Sequence, residues 1–267
     1  MATETTESPT TKRTTRRHSE MFRALSHRNY RLFWSGAFLS NIGTWMQAVA
    51  QGYLVYDLTH SSFWLGLDGF VALSPGLVLT LLGGVFADLI DRRRLLLYTQ
   101  AVAGLAALSL AICISTNVIH KADNIWDSRV WMILIFSFVT GCCMSLAGPS
   151  YQALTFDLVG REDVANAVAL NSTQFQLSRV IGPVFAGVGF KVFGLAGCFY
   201  ANGISFIAVV AALAMVKFDG LGKPSGAGSH SVRDRRALWN DLLDGFRYVR
   251  NRPRVFALLS IAAVNSF

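Results

Sequence analysis

Charge is what this sequence has little of. Of its 267 residues only 15% are Asp, Glu, Lys or Arg, against roughly 25% in a soluble domain, so much of the surface has no need of water. Histidine is scarce, at five residues, and no Ser-His-Asp or Cys-His arrangement offers enzyme chemistry. There is no P-loop pattern, no zinc-type Cys spacing and no GxGxxG opening a helix after a strand, so no cofactor or metal is expected. The cysteines, Cys113, Cys142, Cys143 and Cys198, all lie inside apolar runs. They form no disulfide framework and read as small buried hydrophobes. The formal charge of +8 raises nucleic acid as a partner. Its placement argues against that, because Lys and Arg cluster in short breaks between apolar runs.

What the sequence has is apolar length. Hydrophobic residues make up 52% of it, and a bilayer core about 30 Å thick needs roughly 20 apolar residues of helix to cross it. Six segments meet that length, at about 32–56, 64–87, 95–115, 130–149, 164–190 and 196–217. They are too long and too evenly apolar for barrel strands. An all-α membrane protein is expected, with the lipid bilayer as its surroundings. A basic region precedes the first span and Ala48-Val49-Ala50 resembles a signal cleavage site. The apolar run nevertheless continues through Tyr56, and Asn41 and Gln47 are poor signal-peptide residues, so the span is expected to stay.

Counting Lys and Arg sets an orientation. Twenty fall in the tail before span one, the 2–3 and 4–5 loops and the segment after span six; three (Lys121, Arg129, Lys191) fall on the other side. The amino terminus is expected in the cytoplasm. Residues 1–31 read as a basic cytoplasmic tail, partly disordered, and 32–217 as the six-helix bundle. Residues 218–253 read as a cytoplasmic linker with an amphipathic helix carrying Leu238, Leu242, Phe246 and Val249. Residues 254–267 read as the start of a seventh span that stops short, so the chain is expected to be part of something longer.

Spans one to three and four to six form two units of similar length, and an odd number of helices per unit inverts the second. Each unit interrupts its middle helix with Pro beside Gly, at Pro75-Gly76 and Gly182-Pro183. Matched breaks in inverted repeats point to a transport site; membrane helices also tolerate Pro and Gly for packing alone. Ser40, Thr44, Gln47 and Gln51 share one face of span one, and Asn171, Gln174 and Ser178 one face of span five. Such stripes either line a wet cavity that hydrogen-bonds a small-molecule substrate or tie helices together. The cavity is the favoured reading for span one, and span five stays open. In span four, Ser137, Gly141, Ser145 and Gly148 read as a close-packing face.

Asp68 and Arg179 are the charges expected at membrane depth, where such residues are usually functional or paired. Asp68 lies only a few residues from the outer end of its span and also has a route to water. Arg179 cannot neutralise, because its pKa exceeds about 12. Its open partners are Asp68, a carboxylate outside this chain, or an anionic group on the substrate. Pairing with Asp68 would make a coupling site tuned by proton occupancy.

The sequence resembles the major facilitator superfamily at several places. The loop Gly84-Val85-Phe86-Ala87-Asp88-Leu89-Ile90-Asp91-Arg92-Arg93-Arg94 is similar to its G-x-x-x-D-R-x-G-R-R signature. Gly84, Asp88, Arg92 and Arg93 fall on that pattern, Leu89 replaces the usual basic residue and Asp91 the second Gly. The opening from Phe22 to Trp34, Ser40 to Gln47, and Leu54 to Thr59 resemble a bacterial exporter branch that includes enterobactin and macrolide-efflux proteins; His60 stands where that branch more often has Gly. Asn166 to Asn171 and Arg179-Val180-Ile181-Gly182-Pro183 also match it. Gly182-Pro183-Val184-Phe185-Ala186-Gly187 resembles the G-P-x-x-G-G antiporter motif, with Ala186 for one Gly. Ser137 stands where many drug–proton antiporters carry an intramembrane Arg.

The resemblance covers residues 22–267 and implies the amino-terminal half of a twelve-helix transporter. It implies export of small amphipathic molecules of drug or siderophore type by alternating access from a bacterial inner membrane, with protons as the coupling ion. Under it, Gly84, Asp88, Arg92 and Arg93, with Asp157 as a carboxylate for Arg92, latch the two six-helix halves together. An importer of the same fold, or a non-transporting membrane fragment, are the rival readings.

Overall fold

The computed structural model describes residues 22–89, 91–119, 128–216 and 252, with the side chains of 77, 78, 80–89 and 128 excepted. The chain divides into two units, Met1–Pro224 and Ser225–Phe267, and every helix described below lies in the first. The expected amphipathic helix at 218–253, the start of a seventh span and most of the basic tail fall outside the described residues.

Among the described residues the chain forms a 3-10 turn at Arg23–Ser26 and six α-helices. They are α1 (Arg28–Thr59), α2 (Ser62–Leu89), α3 (Arg92–Ser115), α4 (Ser128–Val159), α5 (Val164–Val192) and α6 (Gly194–Met215). All six overlap the expected spans and most run beyond them. At 1.5 Å per residue the 32-residue α1 and α4 reach about 48 Å, more than a hydrocarbon core needs. Three described helices, α3, α4 from Arg129, and α6, are long and apolar enough to cross a membrane by composition alone. The polar stripes of α1 and α5 hold those two below that level.

The helix ends follow from local chemistry. Asp91 caps α3, its Oδ1 accepting from the Arg93 and Arg94 amides at 2.9 and 3.2 Å, which satisfies two of the helix's orphan donors. His60 closes α1 in the left-handed region (φ 47°, ψ 31°), its amide bonded to the Tyr56 carbonyl. Glycine is the residue that reaches that conformation without a Cβ penalty, which accounts for its use at this position in the resembling branch.

In the packing, α2 lies on α4, α1 on α5 and α6, and α3 on α4 and α6. Two large apolar clusters fill the interior, one at each end of the bundle, with a small third formed by Ala103, Cys143 and Phe206. At the end shared by the amino terminus, Tyr30, Phe33, Leu96, Leu154 and Leu213 meet; at the other, Leu54, Trp64, Leu110, Ile133 and Phe199. Close crossings depend on small residues. A Cβ at Gly36 would come within 2.8 Å of Ala212 Cβ, and one at Gly43 within 2.6 Å of Asn202 Oδ1, so α1 and α6 are nearly in backbone contact. Pro75 cannot donate to the Val71 carbonyl one turn back; the Ser74 hydroxyl donates to it instead, at 3.1 Å.

Candidate functional site

Among the described residues, polar side chains gather in four groups, three inside the bundle and one at its turns. In the first, the Gln51 Nε2 of α1 donates to both Asp68 carboxyl oxygens on α2 at 3.0 Å and to the Ser137 hydroxyl on α4 at 2.6 Å. Ser137 Oγ also contacts Asp68 Oδ1 and lies 3.0 Å from the Ile133 carbonyl. Asp68 is 7% exposed, and its partners, Gln51 on α1 and Ser137 on α4, are both neutral. Arg179 is not among them. Its guanidinium lies over the Trp45 ring, 5.4 Å from the centroid, on an exposed face of α5. A ring face attracts a cation, and of the three partners left open for Arg179, Asp68 is not the one it meets here.

The second group joins α1 to α6. Asn202 Nδ2 donates to Gln47 Oε1 at 2.6 Å, and Ser205 Oγ bonds to the Asn202 carbonyl at 2.7 Å. Gln47 therefore ties helices together here, while Thr44 turns back to the Ser40 carbonyl at 3.0 Å. Asn202 escaped the sequence reading; a single amide in an otherwise apolar helix was the available signal. In detergent, a double-mutant cycle on Gln47→Ala and Asn202→Ala is expected to give a coupling of about 0.5–1.5 kcal/mol from unfolding titrations. A coupling near zero would mean the pair contributes nothing.

The third group lines a cavity of about 620 Å³ among α1, α3, α4, α5 and α6, at the amino-terminal end of the bundle. Of the seven stripe residues, Ser40 and Asn171 line it. Asn171 is fixed on every side: its Oδ1 accepts from Tyr30 Oη at 3.0 Å and its Nδ2 donates to Thr155 Oγ1 at 3.0 Å. Gln174 and Ser178 are buried behind it, at 1% and 0% exposure. Neither Gln174 amide atom nor the Ser178 hydroxyl finds a hydrogen bond among the described residues.

The fourth group is at the turns. Arg92 Nη1 donates to Asp157 Oδ2 at 2.7 Å, joining the start of α3 to the end of α4. Arg93 Nη2 reaches the Ala214 carbonyl at the end of α6, at 3.4 Å. Gly84 and Asp88 lie in the last turns of α2, with their side chains outside the described set. The 3-10 turn docks on the α4–α5 connection, where Arg23 meets Glu162 and Asp163 at 3.1 and 3.0 Å and His27 meets Asp163 at 2.8 Å. Nothing in the sequence reading had singled out that contact.

The breaks in α2 and α5 both lie at helix crossings. A Cβ on Gly141 of α4 would strike the Ala72 carbonyl and lie 3.2 Å from Pro75 Cγ. One on Gly182, beside Pro183, would strike Trp45 Cβ and lie 2.9 Å from the Ile42 carbonyl of α1. Around Gly187 there is open space.

A family model described as transmembrane secretion effector matches residues 19–265, nearly the whole chain. The chain belongs to that family of the major facilitator superfamily. As a secretion-effector family member it has a transporter's membrane fold and is not an enzyme. Among relatives, the staphyloferrin A transporter of Staphylococcus aureus is 29% identical over 182 residues, covering 68% of this chain and 44% of that protein. The enterobactin exporter of Shigella flexneri is 25% identical over 241 residues, 89% of this chain and 54% of that protein. Its counterpart in Citrobacter koseri is 24% identical over 231 residues, 86% of this chain and 51% of that one. The chain spans about half the length of these curated relatives. No solved structure matches it.

Proposed function

We propose that this secretion-effector chain is the amino-terminal, six-helix part of an exporter of small amphipathic molecules, of drug or siderophore type, driven by proton antiport through alternating access. The cavity of the third group would hold the substrate, with the amino terminus on the cytoplasmic side of a bacterial inner membrane. Two inverted three-helix repeats fit the packing, because exchanging α1 with α4, α2 with α5 and α3 with α6 maps the principal helix contacts onto one another, with α3–α6 mapped onto itself. By the same reading residues 218–253 form a cytoplasmic linker. The Arg92–Asp157 pair, with Gly84 and Asp88, would belong to the latch between the two halves. The siderophore class rests on the names of the relatives.

The observation that carries the proton part is Asp68, buried among neutral donors. As a carboxylate it accepts from Gln51 and from the single Ser137 hydrogen, which then leaves the Ile133 carbonyl. As an acid it donates to Ser137 Oγ, and the Ser137 hydrogen turns to Ile133. Both charge states find partners, so a proton can come and go with one hydroxyl rotation and without breaking up the helix contacts. Arg179 does not compete for it.

The test uses the complete reading frame in liposomes with an imposed pH gradient. Asp68→Asn keeps the shape of the neutral acid. It is expected to preserve substrate counterflow and reduce proton-driven accumulation by about tenfold or more. Accumulation that stays proton-driven at the original rate would refute the coupling role.

A further inference from the structure

Gln174 and Ser178 stand one turn apart on the buried face of α5, which packs against α1, and both are sealed from solvent. Their three polar atoms, Gln174 Oε1 and Nε2 and Ser178 Oγ, make no hydrogen bond among the described residues. A serine inside a helix has an easy remedy, because its hydroxyl can turn back to the carbonyl four residues earlier. Thr44, Ser137, Ser145, Thr155, Ser172 and Thr173 all do so here. Ser178 makes no such bond to the Gln174 carbonyl. Unpaired polar groups at membrane depth are costly. Two of them on successive turns of one face point to a shared partner.

Two contacts set the register of α5 on α1. Trp34 Nε1 donates to the Leu170 carbonyl at 3.3 Å, and a Cβ on Gly182 would lie 2.9 Å from the Ile42 carbonyl. Between these contacts the common helical rise brings Ala37 level with Gln174, and Asn41 level with Ser178. Ala37 presents only a methyl group there, and Asn41 carries an amide. On the α4 side the Tyr151 hydroxyl stands next to Gln174, without the geometry of a hydrogen bond.

We propose that the crossing of α1 and α5 holds an ordered water molecule, bound by the Ser178 hydroxyl and the Gln174 amide. The Ser178 hydroxyl donates to the water, and the water donates to Gln174 Oε1. Its second hydrogen goes to Asn41 Oδ1, and Gln174 Nε2 is left for the Tyr151 hydroxyl. Each sealed polar atom then has a partner, and the water has three, the usual number for a buried one. Gln174 and Ser178 thereby become parts of a hydrated helix joint rather than ligands of a cargo. A bridging water can be re-bonded as one helix shifts on the other. The joint beside the Gly182–Pro183 break can thus keep its polar groups satisfied in more than one arrangement. None of this depends on the export reading.

Thermal unfolding in nanodiscs of Gln174→Met, Ser178→Ala and the double variant tests the site. With a bridging water, each single substitution removes one of its ligands and strands the other group. Each is then expected to lower the midpoint by about 2–4 °C, and the double variant to fall no further than the worse single one. If the groups are merely unpaired, each apolar replacement relieves a buried polar atom and the midpoint rises. Rising midpoints, or losses that simply add, would overturn the proposal. A density map of the complete transporter, at a resolution that shows ordered waters, decides the matter however the variants fold. A peak within hydrogen-bonding distance of Ser178 Oγ and Gln174 Oε1 is expected, and a dry crossing would overturn the proposal. Replacing sodium by N-methylglucamine should leave the midpoint unchanged. A sodium-dependent midpoint that Ser178→Ala removes would put a metal ion in the site and overturn the assignment to water.

Discussion

Gly141→Val is expected to abolish the folded bundle, giving aggregated material on size-exclusion chromatography in mild detergent. The clash is with backbone: a Cβ at this position runs into the Ala72 carbonyl of α2 and closes on the Pro75 ring. A flexible side chain could move aside, but a helix carbonyl cannot move without carrying its helix, and overpacking of this kind costs about 1–3 kcal/mol even for a single methyl group. Gly141→Ala should therefore already lower the thermal midpoint clearly. Gly187→Ala on α5 is the control. Nothing lies within 4 Å of its Cβ position, so the change should be neutral or slightly stabilising through helix propensity. Equal behaviour of the two alanine variants would mean that α2 and α4 do not approach as described.

Arg92→Ala is the second large expected loss. Both members of the Arg92–Asp157 pair are placed against their helix dipoles, a cation at the start of α3 and an anion near the end of α4. Each is a misfit alone, and the contact cancels both. Their side chains are 9% and 22% exposed, so removing the guanidinium strands a poorly solvated carboxylate. Breaking buried pairs costs about 3–5 kcal/mol. The partial exposure of Asp157 and relief of the dipole misfit bring the expected loss to roughly 2 kcal/mol. Thermal unfolding in detergent should show it, with little dependence on salt because the pair is sheltered. Exchanging the residues, Arg92→Asp with Asp157→Arg, puts each charge at its favourable helix end and should recover much of the loss. A swap no better than the single variants would show that something other than the charge pair holds these ends together.

The two predictions differ in how far the sequence announced them. Arg92 and Asp157 both lie at breaks in the apolar pattern, and the resemblance to the superfamily signature already named Asp157 as the carboxylate for Arg92. The positions of all six helices were legible without any resemblance, since apolar length is a property of a segment by itself. Partners inside the bundle were not. Periodicity placed Gln47 and Gln51 on one face of α1, yet that face meets α6 at one level and α2 with α4 a turn further on, so two neighbours in the stripe serve different contacts. Nor does a helical repeat announce that Trp45 offers its ring to Arg179. The pattern shows which residues avoid lipid, and only the packing shows what they meet. Ser137 illustrates this: it read as one small residue among several on α4, but its hydroxyl touches Asp68.

The Gln47–Asn202 bond also bears on how the protein is made. Its partners are 155 residues apart, and α1, which leaves the ribosome before the other five helices, is not apolar enough to count as a span by composition. At about 5–20 residues per second, the Gln47 amide waits roughly 8–30 s for α6 to be synthesised. Through that interval it has no native partner and a standing cost for entering lipid. The bundle's first helix thus depends on its last, and α1 must be sheltered by the insertion machinery, or held at the water interface, until α6 arrives.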